Sequence, residues 1–279
     1  MTRKLLSWTI AAALAGATPA FAAAVTFVSV TGTDSGSCAT PAAPCRTFQY
    51  AFSQTVRNGE IFALTPGDFG PVVIRRSISI SGVEGAGIFG PPHVSQLIVV
   101  EWDADAVVNL TGLTFERSAA YANGPHLSGI VVNPGGGVVT VRNCVFRNAG
   151  FDALESAGSR LLIEDSSFSD SRFVNIRLGN VRSAAIGQNL VHRVVSQAAW
   201  KAIDSWNSRV TISDSVLANS EMGLENRSPN NSPIFMTRSM VTGNSSRGLE
   251  VPALSSGGDN FIRGNATDVV GAITNIGRQ

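Results

Sequence analysis

One stretch, Val138–Asn148 (VVTVRNCVFRN), recurs along the chain and constrains what it can fold into. Copies stand at Leu161–Asp170 (LLIEDSSFSD), Val210–Asn219 (VTISDSVLAN) and Ile234–Gly243 (IFMTRSMVTG). Each has an alternating apolar strand, a polar corner residue (Asn143, Asp165, Asp214, Arg238), and an apolar residue three places on (Phe146, Phe168, Leu217, Val241). Degenerate copies are expected through Asn189 and Asp259–Ile262, giving corner steps of 22, 24, 25, 24 and 21 residues. A period of 20–25 residues without helical patterning marks a solenoid. One such unit cannot bury its apolar face alone. Stacked about 4.8 Å from its neighbours, it pairs its backbone above and below and joins a continuous apolar column. The expected fold is all-β, a single-stranded right-handed parallel β-helix of about eight or nine rungs. A leucine-rich repeat fails for want of a regular Leu-x-x-Leu-x-Leu frame.

Charged residues make up only 15% of the 279, glycines number 28, and the net charge is +1. Glycine and Asn suit a chain full of tight corners. Without a concentrated basic patch, nucleic acid is not expected as a partner.

Residues 1–22 (MTRKLLSWTIAAALAGATPAFA) have the form of a secretory signal peptide. Arg3 and Lys4 precede an apolar run, and Ala20-Phe21-Ala22 makes a small-residue cleavage site. The run is too short for a membrane anchor, and no later stretch could span a bilayer. The chain is thus expected to be exported to the periplasm or the extracellular space, leaving residues 23–279 as one domain. In an oxidising compartment Cys38 and Cys45 should pair, and Cys144 is expected as a packed free thiol.

Phe48, Ala51, Phe52 and Thr55 fall at helical spacing, and Asn58-Gly59 is expected to end that short helix. Thr47-Phe48-Gln49, the helix, Asn58-Gly59-Glu60-Ile61, Pro66-Gly67-Asp68-Phe69 and Ile78-Ser79-Ile80-Ser81-Gly82 follow in order. This order resembles the N-terminal cap and first turn of the pectin-lyase-like, right-handed β-helix superfamily, in particular its poorly characterised secreted bacterial branch. Residues 23–82 would then be the cap and first rung. The resemblance speaks to architecture and to no activity.

After each corner block a second strand aligns as Gly129-Ile130-Val131, Ala153-Leu154-Glu155, Asn175-Ile176-Arg177, Ala202-Ile203-Asp204, Gly223-Leu224-Glu225 and Gly248-Leu249-Glu250. If the middle residue points inward, the third points outward. Val131, Glu155, Arg177, Asp204, Glu225 and Glu250 then form an axial column of charges. Glu155, Arg177, Trp200, Lys201, Asp204, Trp206, Glu225 and Glu250 are the expected ligand-binding residues, since Trp faces suit sugar rings. The bland alternative is a solvated β-face. Adjacent Glu225 and Glu250, with Asp204 and Arg177, are the candidates for catalysis, because neighbouring carboxylates push one pKa upward.

Against catalysis, the superfamily's hallmark motifs are missing. There is no Asn-Thr-Asp, Asp-Asp or Gly-His-Gly of polygalacturonases, no Trp-x-Asp-His or Arg-x-Pro-x-x-Arg of pectate lyases, and no Asp-Pro-His-Asp of epimerases. His93, His126 and His192 are isolated, so no metal site is expected from them. Glu101, Asp103 and Asp105 around Trp102 are a weak candidate for Ca²⁺, with a solvated acidic loop favoured. Three functions remain open: a non-catalytic exported module binding a polysaccharide or surface polymer, a lyase or glycosidase of unrecognised motif, and a structural or adhesive surface protein.

Overall fold

The computed structural model describes residues 22–90, 95–101, 105–117, 127–135, 137–179, 187–228 and 233–277. The signal-peptide residues 1–21 lie outside them. Every strand pairing is parallel, and the strands stack along three faces of a solenoid. Face I runs from Val72–Ile74 through Gln96–Val100, Ser128–Val132, Leu154–Ser156, Val174–Leu178, Lys201–Ser205 and Met222–Asn226 to the first half of Arg247–Ser256. Face II runs from Thr55–Ala63 through Ile78–Gly82, Val107–Thr111, Val138–Arg142, Arg160–Glu164, Gly187–His192 and Ser208–Ser213 to Ile234–Thr237. Among the described residues, face III stacks nine short strands from Gly67–Asp68 to Phe261–Ile262. The last strand, Thr267–Asn275, pairs with Arg247–Ser256 across faces I and II.

The recurring blocks become face II, a corner, and face III. The inward residue of face III forms the column Phe115, Phe146, Phe168, Ser196, Leu217, Val241, Ile262. Its aromatic part is a true stack, with ring centroids 4.7 and 4.4 Å apart. Each block supplies two left-handed turns. Asn143, Asp165, Arg193, Asp214 and Arg238 (φ 45–52°) turn the chain from face II to face III. Asn148, Asp170, Ala198 and Asn219 (φ 52–60°) turn it toward face I. This backbone conformation is costly for most L-residues and mild for Asn and Asp, which explains the residue types at the block ends.

Asn189 is not a corner. The corner of its rung is Arg193, at a step of 28 residues from Asp165 rather than 24. Asn189 instead occupies the inward row of face II, between Leu161 and Val210, and both its amide atoms are buried without a hydrogen-bond partner among the described residues. The corner column is Asn143, Asp165, Arg193, Asp214 and Arg238. Arginines clamp it: Arg193 donates to Asp165 and Arg238 to Asp214, with Nη2–Oδ2 distances of 2.7 and 2.8 Å.

The N-terminal end is sealed. The helix Phe48–Gln54 starts at Thr47, whose hydroxyl accepts from the Tyr50 amide, and buries Phe48, Ala51 and Phe52. It ends at Thr55, which is already extended. Asn58 (φ 63°) is therefore not the helix stop but lies within the next strand, near a register shift against the first. Cys38 and Cys45 are disulfide-bonded. Their loop hydrogen-bonds the outer edge of the first strand, Ala23–Val28, through Phe27 N–H to Cys38 O and Cys45 N–H to Phe27 O, both 2.8 Å. Cys144 is free and buried, and burial pushes its thiol up to about 12. Among the described residues no helix is long and apolar enough to cross a membrane. The disulfide fits an exported protein.

Candidate functional site: the charged row of face I

The register of face I places Val131, Glu155, Arg177, Asp204, Glu225, Glu250 and Val270 opposite one another in successive rungs, as the triplet alignment requires. The middle residues Ile130, Leu154, Ile176, Ile203, Leu224 and Leu249 are all at 0% exposure, so the third positions point outward. They do not stand as free charges. Asp204 is fully buried and Glu225 nearly so, beneath the long side chains that cross from neighbouring rungs.

Arg177 is the hub. Its Nε and Nη2 donate to Asp152 (2.5 and 3.2 Å) and its Nη1 to Asp204 (2.8 Å). Asp152 sits in the turn before its strand and is wholly buried. It also accepts from the Val174 amide at 3.1 Å. Burial nonetheless pushes its carboxyl above the usual aspartate range, with the Arg177 bonds opposing the shift. Arg227, just after the Met222–Asn226 strand, reaches back to Asp204 (2.7 Å) and Glu225 (3.2 Å). Lys201, at 1% exposure, pairs with Glu225, and its Nζ lies 3.8 Å from Asp204. Glu250 pairs with Arg247. Glu225 and Glu250 are thus each turned to a cation of their own, not to each other, which removes the reason for choosing that pair as a catalytic couple.

Glu155 is the exception. It is partly buried, and burial first, then the nearby Asp152 charge, raises its pKa against the pull of Arg177. Among the described residues no hydrogen bond or ion pair holds its carboxyl.

An aromatic row runs beside the charges. Phe151, Phe173 and Trp200 occupy equivalent turns entering face I, with centroids 4.9 Å (Phe151–Phe173) and 6.4 Å (Phe173–Trp200) apart. Trp200 is 40% exposed. Lys201 lies 4.2 Å from the Trp200 ring and Arg227 4.3 Å from the Trp206 ring, so the two tryptophans bracket the Lys201–Ser205 strand. The triplet alignment missed Phe151, Phe173, Asp152 and Arg227, all of which lie outside the strands. The aromatic at the same turn of three rungs was the available signal.

The other sequence candidates lie apart. Glu101 pairs with Arg75 at 2.7 Å; Trp102, Asp103, His93 and His126 lie outside the described residues. His192 is on the face II edge, its Nδ1 2.9 Å from the Ser213 hydroxyl and 3.3 Å from Asp214. Among the described residues no three His, Cys, Asp or Glu gather as a metal site would need.

Fold and site together define a parallel β-helix protein with an ion-paired, aromatic-edged face. The chain belongs to the family described as right handed beta helix region, whose model matches residues 98–267, and so to the pectin-lyase-like superfamily. Solved structures similar to it include a mannuronan C-5 epimerase module and a pectate lyase. The A-module of the mannuronan C-5 epimerase AlgE4 of Azotobacter vinelandii aligns with a TM-score of 0.52 at 12% identity, over 76% of this chain and 70% of that one. The pectate lyase Pel9A aligns with a TM-score of 0.52 at 13% identity, over 90% of this chain and 77% of that one. At such identity the likeness is one of fold. No curated protein matches the sequence.

Proposed function

We propose that the chain is an exported, non-catalytic β-helix protein that binds a polysaccharide lengthwise along face I. The observation that carries this is the row Phe151, Phe173, Trp200. Rings repeated once per rung, beside the charged groups of the row that reach the surface (Arg177, Arg227, Arg247 and Glu250), give an extended chain of sugars stacking platforms and polar partners. The ion pairs supply geometry more than charge: four cations (Arg177, Lys201, Arg227, Arg247) stand against five acids (Asp152, Glu155, Asp204, Glu225, Glu250). The names of the two similar structures make mannuronan and pectate the first ligands to try, followed by chitin and peptidoglycan. The compartment we favour is the periplasm or the extracellular space.

The test is a pull-down of the purified protein on each polymer, with released reducing and unsaturated ends measured alongside. Binding without new ends, weakened at least tenfold by Trp200→Ala or Phe173→Ala, supports the proposal. Binding indifferent to both substitutions overturns it. A second reading, cleavage by a lyase or glycosidase, is favoured by Glu155, a carboxyl with a raised pKa and no partner among the described residues. New ends abolished by Glu155→Gln would establish that reading.

A further inference from the structure

The two ends of the solenoid are built differently. At the N-terminal end the disulfide loop bonds the outer edge of the first strand, and the helix Phe48–Gln54 covers the core. At the other end the strand Thr267–Asn275 pairs with Arg247–Ser256 on one side only, and Phe261–Ile262 with Met240–Thr242 on one side only, among the described residues. Four of the eleven large apolar side chains exposed among the described residues fall here: Phe261 (50%), Val270 (39%), Ile273 (39%) and Ile276 (46%). Edge strands are normally blunted by Pro, Lys or a covering element. TDVVGAITN has no Pro, Lys or Arg, and its one charge, Asp268, is committed to the Asn265 amide and side chain at 3.0 Å each.

We infer that this C-terminal end docks on the same end of a second copy of the chain, giving a closed two-fold dimer. Two observations select that occupant. First, the far end is sealed, so copies cannot stack head to tail. An end that meets only its own kind makes an isologous, closing contact. Second, the edge is self-complementary. Val269 stands opposite inward Leu249, and Ile273 opposite inward Leu254, so both point into the core. Antiparallel pairing of the strand with its twin about Gly271 sets Val269 opposite Ile273 of the partner subunit, keeping inward residues inward in both copies. The same register sets Asp268 opposite a threonine, so no like charges meet. Gly271 is also where the strand passes from face I to face II, so the two-fold exchanges these faces and sets Phe261–Ile262 against its own copy on face III.

Sedimentation velocity of the purified protein over a hundredfold range of concentration, with hydrogen exchange of Thr267–Asn275, tests this. The expected result is twice the chain mass, halved by Ile273→Arg with circular dichroism unchanged, and protection of these amides that the substitution abolishes. A second variant, Val270→Cys with Ala272→Cys, should give a covalent dimer on oxidation. A monomer at every concentration overturns the inference, whether its terminal amides exchange freely or are protected by some other cover. So does a dimer that Ile273→Arg leaves intact and the paired cysteines do not cross-link.

Discussion

Replacing Arg177 with Met keeps most of the side-chain volume and removes a guanidinium that joins three rungs. Asp152 then loses both Arg177 bonds while keeping 0% exposure, and Asp204 keeps Arg227 as a direct partner. Breaking a buried pair by removing one partner costs about 3–5 kcal/mol, because the other charge stays buried. The sign of the pH dependence follows from Asp152. Its folded pKa is already raised by burial, and the guanidinium opposes that shift, so its loss raises the pKa further. In the window between the ordinary aspartate value and the raised folded value, the folded chain holds a proton that the unfolded chain has released. Stability therefore falls as pH rises through that window, and falls further in the variant. The loss should be larger at pH 7.5 than at pH 4.5, and Asp152→Asn should restore part of it. Since each rung contacts only its neighbours, hydrogen exchange of the Leu154–Ser156, Val174–Leu178 and Lys201–Ser205 strands is a sharper readout than one melting temperature. A loss below about 1 kcal/mol, the range of exposed pairs, would refute the view that this row is a buried network. So would a loss unchanged with pH.

Three further outcomes are expected. Asn189→Leu should stabilise the chain by about 1–3 kcal/mol, the penalty of an unpaired buried polar group, and a lower melting temperature would contradict that. Ala198→Gly should stabilise by about 1 kcal/mol, because alanine is held at φ 52° on the exposed side of a turn, and chemical denaturation should show it. Cys38→Ser with Cys45→Ser should cost about 2.5 kcal/mol by loop closure and raise exchange in Ala23–Val28; no change in that strand would mean the loop does not seal the end.

The sequence laid out face I residue by residue, because an inward apolar residue fixes the direction of the next one and the parallel register repeats it. What it left obscure depends on turns and on reach. Asp152 lies one residue ahead of its triplet, in a turn, and joins the row through an arginine 25 positions on. Arg227 lies beyond the end of its strand and reaches back to Asp204. Exposure was misjudged for the same reason: the charged positions do face outward, but long side chains from adjacent rungs roof over Asp204 and Glu225. Near-equal repeat steps put the corner at Asn189, whereas the left-handed turn falls four residues later at Arg193. Asn58-Gly59 reads as a helix stop because a left-handed Asn serves a strand bend as well as a helix end.

The most direct measurement is the exchange footprint of a bound oligosaccharide drawn from whichever polymer the protein retains. Face I should gain protection in step at residues 151–155, 173–177 and 200–204, with face II unchanged. Protection instead around Arg160, Gln188 and Arg209 on face II, with the aromatic row still exchanging freely, would contradict the assignment of face I as the binding surface.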